Sequence, residues 1–126
     1  MTTKRNKNYG IYRDLVDIMR SKIASKEYKE GAVIPSIREH AEMFGVNFNT
    51  VSKVWMILHM GGIFDTSTAP NAGTRVAKGA AKKCRVALER RVSEMLIDVA
   101  RVAVASGVSH DAVSKQLKAK MAKKVA

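Results

Sequence analysis

Residues 35–62, PSIREHAEMFGVNFNTVSKVWMILHMGG, constrain this chain more than any other segment. The pattern predicts two short helices joined by a tight turn. Ser36 is suited to cap the first, whose apolar Ile37, Ala41 and Phe44 recur at helical spacing. Gly45 ends it, since glycine enters the left-handed conformation without a Cβ clash. Val46 is placed to fill the space between the helices. Asn47 then caps a second helix whose Val51, Val54, Trp55 and Leu58 share one face. The other face opens with Asn47, Asn49, Thr50, Ser52 and Lys53. Short hydrogen-bonding side chains at a helix N-terminus, followed by a cation, are what a DNA-reading helix offers to base edges and phosphates.

Charge agrees with a polyanionic partner. The 126 residues carry 23 Lys and Arg against 11 Asp and Glu, a formal charge of +12. Residues 1–78 contribute +5 and residues 79–126 +7, so the excess is not confined to one end. Such an excess favours phosphates by displacing their counterions. Cys84, the single cysteine, has no intrachain partner and no neighbouring ligands, which argues against a disulfide or zinc site and suits a reducing cytoplasm. No run approaches the ~20 apolar residues of a membrane span. A cytoplasmic protein without membrane contact is expected.

Along the rest of the chain, Met1–Asn8 reads as a loose basic arm. Residues 9–25 read as an amphipathic helix with a stripe of Ile11, Leu15, Ile18, Met19 and Ile23. Residues 26–34 read as a loop. After the helix pair, residues 63–66 and 73–77 predict a β-hairpin around the turn formers of 67–72. A hairpin following a DNA-reading helix is a wing, and Asn71, Gly73 and Arg75 are its candidate DNA contacts. Residues 80–106 lack Gly and Pro and predict a long helix. Its Leu88, Val92, Met95, Val99 and Val102 step by four and three, a seam of the kind that packs on another helix. Gly107 breaks it. Ser109 caps a last helix with Asp111 in its first turn and an apolar stripe of Val113, Leu117 and Met121. Its lysines read as a solvated face, or as a second strip along DNA.

These pieces resemble, in order, the GntR family of winged-helix transcription regulators. IYRDLVDIMRSKIASKEYKEG looks like the family's first helix and loop. IPSIREHAEMFGVNFNTVSKVWMILHMGGI looks like its helix-turn-helix, usually LPSxRELAxxLGVNxNTVxKAxxxLExxGLI. AGTRVA looks like the closing wing strand, usually GTFV. The likeness spans residues 9–78. The short helical tail resembles that of the YtrA-type subfamily, which mainly serves dimerisation. The resemblance implies DNA contacts from Arg38, from Asn47, Asn49, Thr50, Ser52 and Lys53, and from the wing near Gly73. Four departures stand out. Phe48 occupies a site that is often proline or arginine, Arg75 replaces a phenylalanine, His40 replaces a leucine, and the wing is longer and lacks a basic tip.

The expected fold is therefore mainly α with a small β-hairpin. An N-terminal winged helix-turn-helix (residues 1–78) precedes a two-helix dimerisation unit (residues 79–126). The expected function is sequence-specific binding of double-stranded DNA by a homodimeric regulator, a repressor on an inverted repeat. A nonspecific architectural DNA-binding protein and a protein-interaction adaptor or anti-repressor are the alternatives. Phe48 has two open readings, contact with a thymine methyl or sugar and packing on its neighbours. Trp55, Met56 and Met60 read as core or its flank. His40, His59 and His110 include no i,i+4 pair, so no metal is expected. Asp14, Asp17, Glu39 and Glu42 read as exposed helix charges. With no nucleophile–base–orienter set or phosphate loop, neither enzyme activity nor a cofactor is expected. Two helices leave little room for the ~300 Å³ or more of a metabolite pocket, and the effector is undetermined.

Overall fold

A computed structural model of the chain describes residues 3–65 and 73–123, with side chains from Tyr12 onward. It divides into two compact units, Met1–Leu88 and Glu89–Ala126.

The first unit begins with α1, Thr3–Ala24. The helix starts well before Tyr9, so the expected loose arm is a helical extension. Lys, Arg and Asn without proline add to an existing helix at little cost, because nucleation is the expensive step. Its buried residues are Leu15, Val16, Met19 and Ile23, whereas Ile18 faces out. The strand β1, Val33–Ile34, follows in what reads from sequence as loop. Next come α2, Ile37–Phe44, and α3, Phe48–Met60. Strand β2, Thr74–Arg75, pairs antiparallel with β1, Val33 opposite Arg75 and Ile34 opposite Thr74. On its other side the β2 segment meets the stretch after α3. Phe64 bridges Val76, the Asp65 N–H donates to the Arg75 carbonyl (2.8 Å) and the Ala77 N–H to the Ile63 carbonyl (2.8 Å). The expected hairpin thus becomes the outer part of a three-segment arrangement centred on β2. Its tip, residues 66–72, lies outside the described residues, and Asn71 with it.

Helix α4, Ala80–Ser106, matches the predicted span. Its first turns belong to the first unit's core. Ala80 and Cys84 are buried in one cluster with Met19, Ile23, Leu58 and Phe64. Glu30, from the α1–β1 loop, accepts the Ala81 N–H at 3.1 Å and so caps the helix. Those amide hydrogen bonds, from Gly79 and Ala81, hold its carboxyl below the ordinary value. The core therefore continues past residue 78, where the composition changes, and the compact division falls after Leu88. Burial raises the Cys84 thiol pKa, as expected of a packed cysteine.

In the second unit α4 runs on to Ser106, and α5 spans His110–Ala122. Ser109 caps α5 by accepting the Ala112 N–H at 3.1 Å. No described residue of this unit is buried. The seam residues Val92, Met95, Val99 and Val102 are exposed, as are Leu96, Ile97 and Leu117. No helix among the described residues is long and apolar enough to cross a membrane.

Candidate nucleic-acid interface

Local chemistry builds the helix pair. Ser36 Oγ accepts the Glu39 N–H at 3.0 Å, while Glu39 Oε1 accepts the Ser36 N–H at 2.8 Å. This reciprocal capping box satisfies two of the donors that a helix start leaves open. Glu39, read from sequence as an exposed helix charge, is also a capping residue, and the Ser36 amide keeps its carboxyl below the ordinary range. Gly45 closes α2 at φ 66°, and its N–H reaches the Ala41 and Glu42 carbonyls. Asn47 Oδ1 accepts the Asn49 N–H at 2.7 Å and opens α3. Part of Asn47's polar capacity is therefore spent on the fold.

α3 buries Val51, Val54, Trp55 and Leu58, the face expected from periodicity. Trp55 Nε1 donates to Thr74 Oγ1 at 3.3 Å, which ties α3 to β2. Behind the pair sits His40, with no exposed surface. Its Nδ1 lies 3.0 Å from the Ser36 carbonyl and its Nε2 lies 2.9 Å from Tyr28 Oη. A carbonyl only accepts, so the neutral ring carries its proton on Nδ1 and Nε2 accepts the Tyr28 hydroxyl. Burial pushes His40 below the ordinary imidazole pKa, against the pull of the Ser36 and Pro35 carbonyls. Burial also raises the Tyr28 hydroxyl. Where the family resemblance has leucine, this chain thus keeps a fully partnered polar core residue.

The solvent face carries most of the expected DNA contacts. Arg38, Asn47, Phe48, Asn49 and Lys53 are exposed; Thr50 and Ser52 are half-buried. The Arg38 guanidinium stands 5.9 Å from the centre of the Phe48 ring, within cation–π range. This contact links the head of α2 to the first residue of α3. Beside it runs an open groove of about 510 Å³ lined by Val33, Ile37, Arg38, Phe48 and Gly73. Gly73 sits at φ +85°, a conformation that side chains rarely adopt, and a Cβ there would lie 2.9 Å from Val33 Cγ1, so glycine suits this start of β2 beside β1. Arg75 is directed elsewhere, with Nη1 donating to the Gly31 carbonyl at 2.9 Å. It fastens the α1–β1 loop to β2.

Met56 and Met60 depart from the core reading. They are 61% and 81% exposed, on the face opposite Val51 and Trp55. The signal was present in the sequence: once the buried face of α3 is set by residues 51, 54, 55 and 58, positions 56 and 60 fall on the far side. Hydrophobicity alone points the wrong way for them. Among the described residues, no group of three His, Cys, Asp or Glu side chains is placed to hold a metal.

No protein-family model matches the sequence, and no curated protein does. Solved structures do resemble it. A GntR family transcriptional regulator from Listeria monocytogenes is 19% identical over 86% of this chain and 92% of that one, with a TM-score of 0.64. A transcriptional regulator from Oenococcus oeni is 24% identical over 88% and 90%, with a TM-score of 0.58. A transcriptional antiterminator from Listeria monocytogenes EGD-e is 28% identical over 88% and 81%, also at 0.58. The likeness is one of architecture: this mostly helical chain with its small antiparallel sheet has the winged-helix fold found among GntR-family transcriptional regulators.

Proposed function

We propose that the chain is a GntR-type, sequence-specific DNA-binding transcription regulator that acts as a homodimer and represses by occupying promoter DNA. The observation that carries this reading is the division of α3 into two faces. One is sealed into the core through Val51, Val54, Trp55 and Leu58, while the other presents Asn49 and Lys53 to solvent. A helix held this rigidly can place an amide against a base edge with the precision that discrimination requires. Arg38, in the first turn of α2, adds a cation where the helix start itself attracts phosphate. The formal charge of +12 supplies the sequence-independent part of the affinity.

The second unit supports the dimer. Its Val92, Met95, Val99 and Val102 line one face of α4, exposed in a single chain, and the four-and-three spacing suits a second helix of the same kind. A second copy covers this face with apolar surface, whereas a duplex would leave it against phosphates. Two recognition helices related by a twofold axis then read half-sites about 34 Å apart.

Titration against random duplexes and against duplexes selected from a random pool, at two salt concentrations, tests the reading. The selected site should bind at least ~10³-fold tighter. Asn49→Ala should lose about 1–3 kcal/mol on it and little on random DNA. Equal affinity for both DNAs would replace a regulator with an architectural protein, and no binding to either would leave an adaptor.

A further inference from the structure

We propose that Met56 is a specificity-determining residue that reads the C5-methyl group of a thymine in the major groove. The inference rests on the reading of α3 as the recognition helix and names one base that the helix selects.

The outermost line of α3, opposite Val51, Val54 and Leu58, consists of Asn49, Lys53, Met56 and Met60. Its polar half is the face already assigned to DNA, and the methionines continue that line without interruption. Neither has a place in the chain's core, since both are more than half exposed. Met56 stands seven residues beyond Asn49, about 10 Å along the axis. That is roughly three base-pair steps of ~3.4 Å. A helix laid along the groove with Asn49 on a base edge therefore brings Met56 over a base about three pairs away. Met60, at the C-terminal end of α3, is farther from the N-terminal turns by which such helices engage the bases.

The chemistry of that contact selects one base. On the major-groove edge only thymine presents an apolar group, its C5-methyl, and the other edges offer donors and acceptors that a thioether cannot satisfy well. The methionine side chain is unbranched and polarizable, so it can follow a methyl group across a range of rotamers. α3 contains no Asp or Glu, so no like charge keeps this face from the duplex. Lys53 stands one turn before Met56 and supplies the complementary charge.

The test uses full-length protein and two random 30-bp duplex pools, one built with thymidine and one with deoxyuridine in its place. Wild type should enrich a site from the thymidine pool with a fixed thymine about three pairs from the base on which Asn49→Ala acts. Replacing that thymine by uracil, which removes the methyl alone, should weaken wild type about fourfold, the value of one buried methyl. Met56→Ala should bind the thymine and uracil forms equally, and Met56→Leu should regain part of the difference. Circular dichroism should show all three proteins equally folded, since the side chain is exposed. The proposal is overturned if uracil at every thymine leaves wild type unchanged, or if Met56→Ala keeps the full discrimination. A selection that enriches no sequence removes the recognition-helix reading itself, and the Met56 contact with it.

Discussion

Acidification should loosen the first unit through His40. The ring is fully enclosed, with Trp55, Phe44 and Tyr28 ring centres at 4.8, 5.6 and 5.8 Å. Burial lowers its folded-state pKa beneath the ordinary 6.5. The unfolded chain then takes up the proton first, so below about 6.5 it binds more protons than the folded one. The stabilisation is complete above that pH and is lost as pH falls through and below it. One histidine binds one proton, so the loss is at most about 1.4 kcal/mol between pH 7.5 and 5.5. For a unit of this size that corresponds to about 6–11 °C in the melting temperature. The protonated ring can still donate Nε2–H to the Tyr28 oxygen, so the cost is that of burying charge rather than of a broken hydrogen bond. Glu30 and Glu39, both held below their ordinary 4.5, contribute only at lower pH and leave this window clear. The double variant His40→Leu/Tyr28→Phe removes the titrating ring without orphaning the hydroxyl. The Ser36 carbonyl keeps its other donor, the His40 backbone N–H at 2.9 Å. Thermal unfolding followed by circular dichroism at pH 7.5, 6.5 and 5.5 should show a steeper fall for wild type than for the double variant. Parallel slopes in the two proteins would refute the argument.

Two further outcomes are expected. Ser36→Ala removes half of the capping box on α2 and should cost about 1 kcal/mol, read as a lower urea midpoint, while Ser36→Thr stays near wild type; equal midpoints for Ala and wild type would show that the cap contributes nothing. Val99→Asp places a charge in the middle of the α4 seam and should leave monomers in analytical ultracentrifugation, with helix content retained, where wild type should sediment as the proposed dimer; a variant that sediments as a dimer like wild type would move the interface away from this face.

Short-range chemistry made the helix pair readable. Ser36, Gly45 and Asn47 act on amides and carbonyls within five residues of themselves, so the ends of α2 and α3 follow from local sequence. The strand β1 was unreadable for the opposite reason. Val33 and Ile34 are too few to show alternation, and their partners Thr74 and Arg75 lie some forty residues away. In α1 the stripe located the helix face but not its centre. Val16 is buried and Ile18 is not. At Gly79 the composition changes, yet the core runs on, since Ala80, Ala81 and Cys84 are all buried.

The residues least legible by type are those whose burial contradicts their polarity, and partners resolve them. A buried histidine is tolerable only if both ring nitrogens are occupied. His40 finds Ser36 one turn before it and Tyr28 twelve residues away, and only the second depends on the fold. Met56 and Met60 pose the converse problem, apolar side chains that the fold leaves in water. Single exposed hydrophobic residues need no explanation. Two on the outermost line of one helix, continuing from Asn49 and Lys53, are a pattern. The chain satisfies His40 from within. On α3, the face proposed to meet a duplex is also the face on which both methionines stand exposed, and the surface proposed to read hydrogen bonds at its start is the one proposed to read a methyl group two turns later.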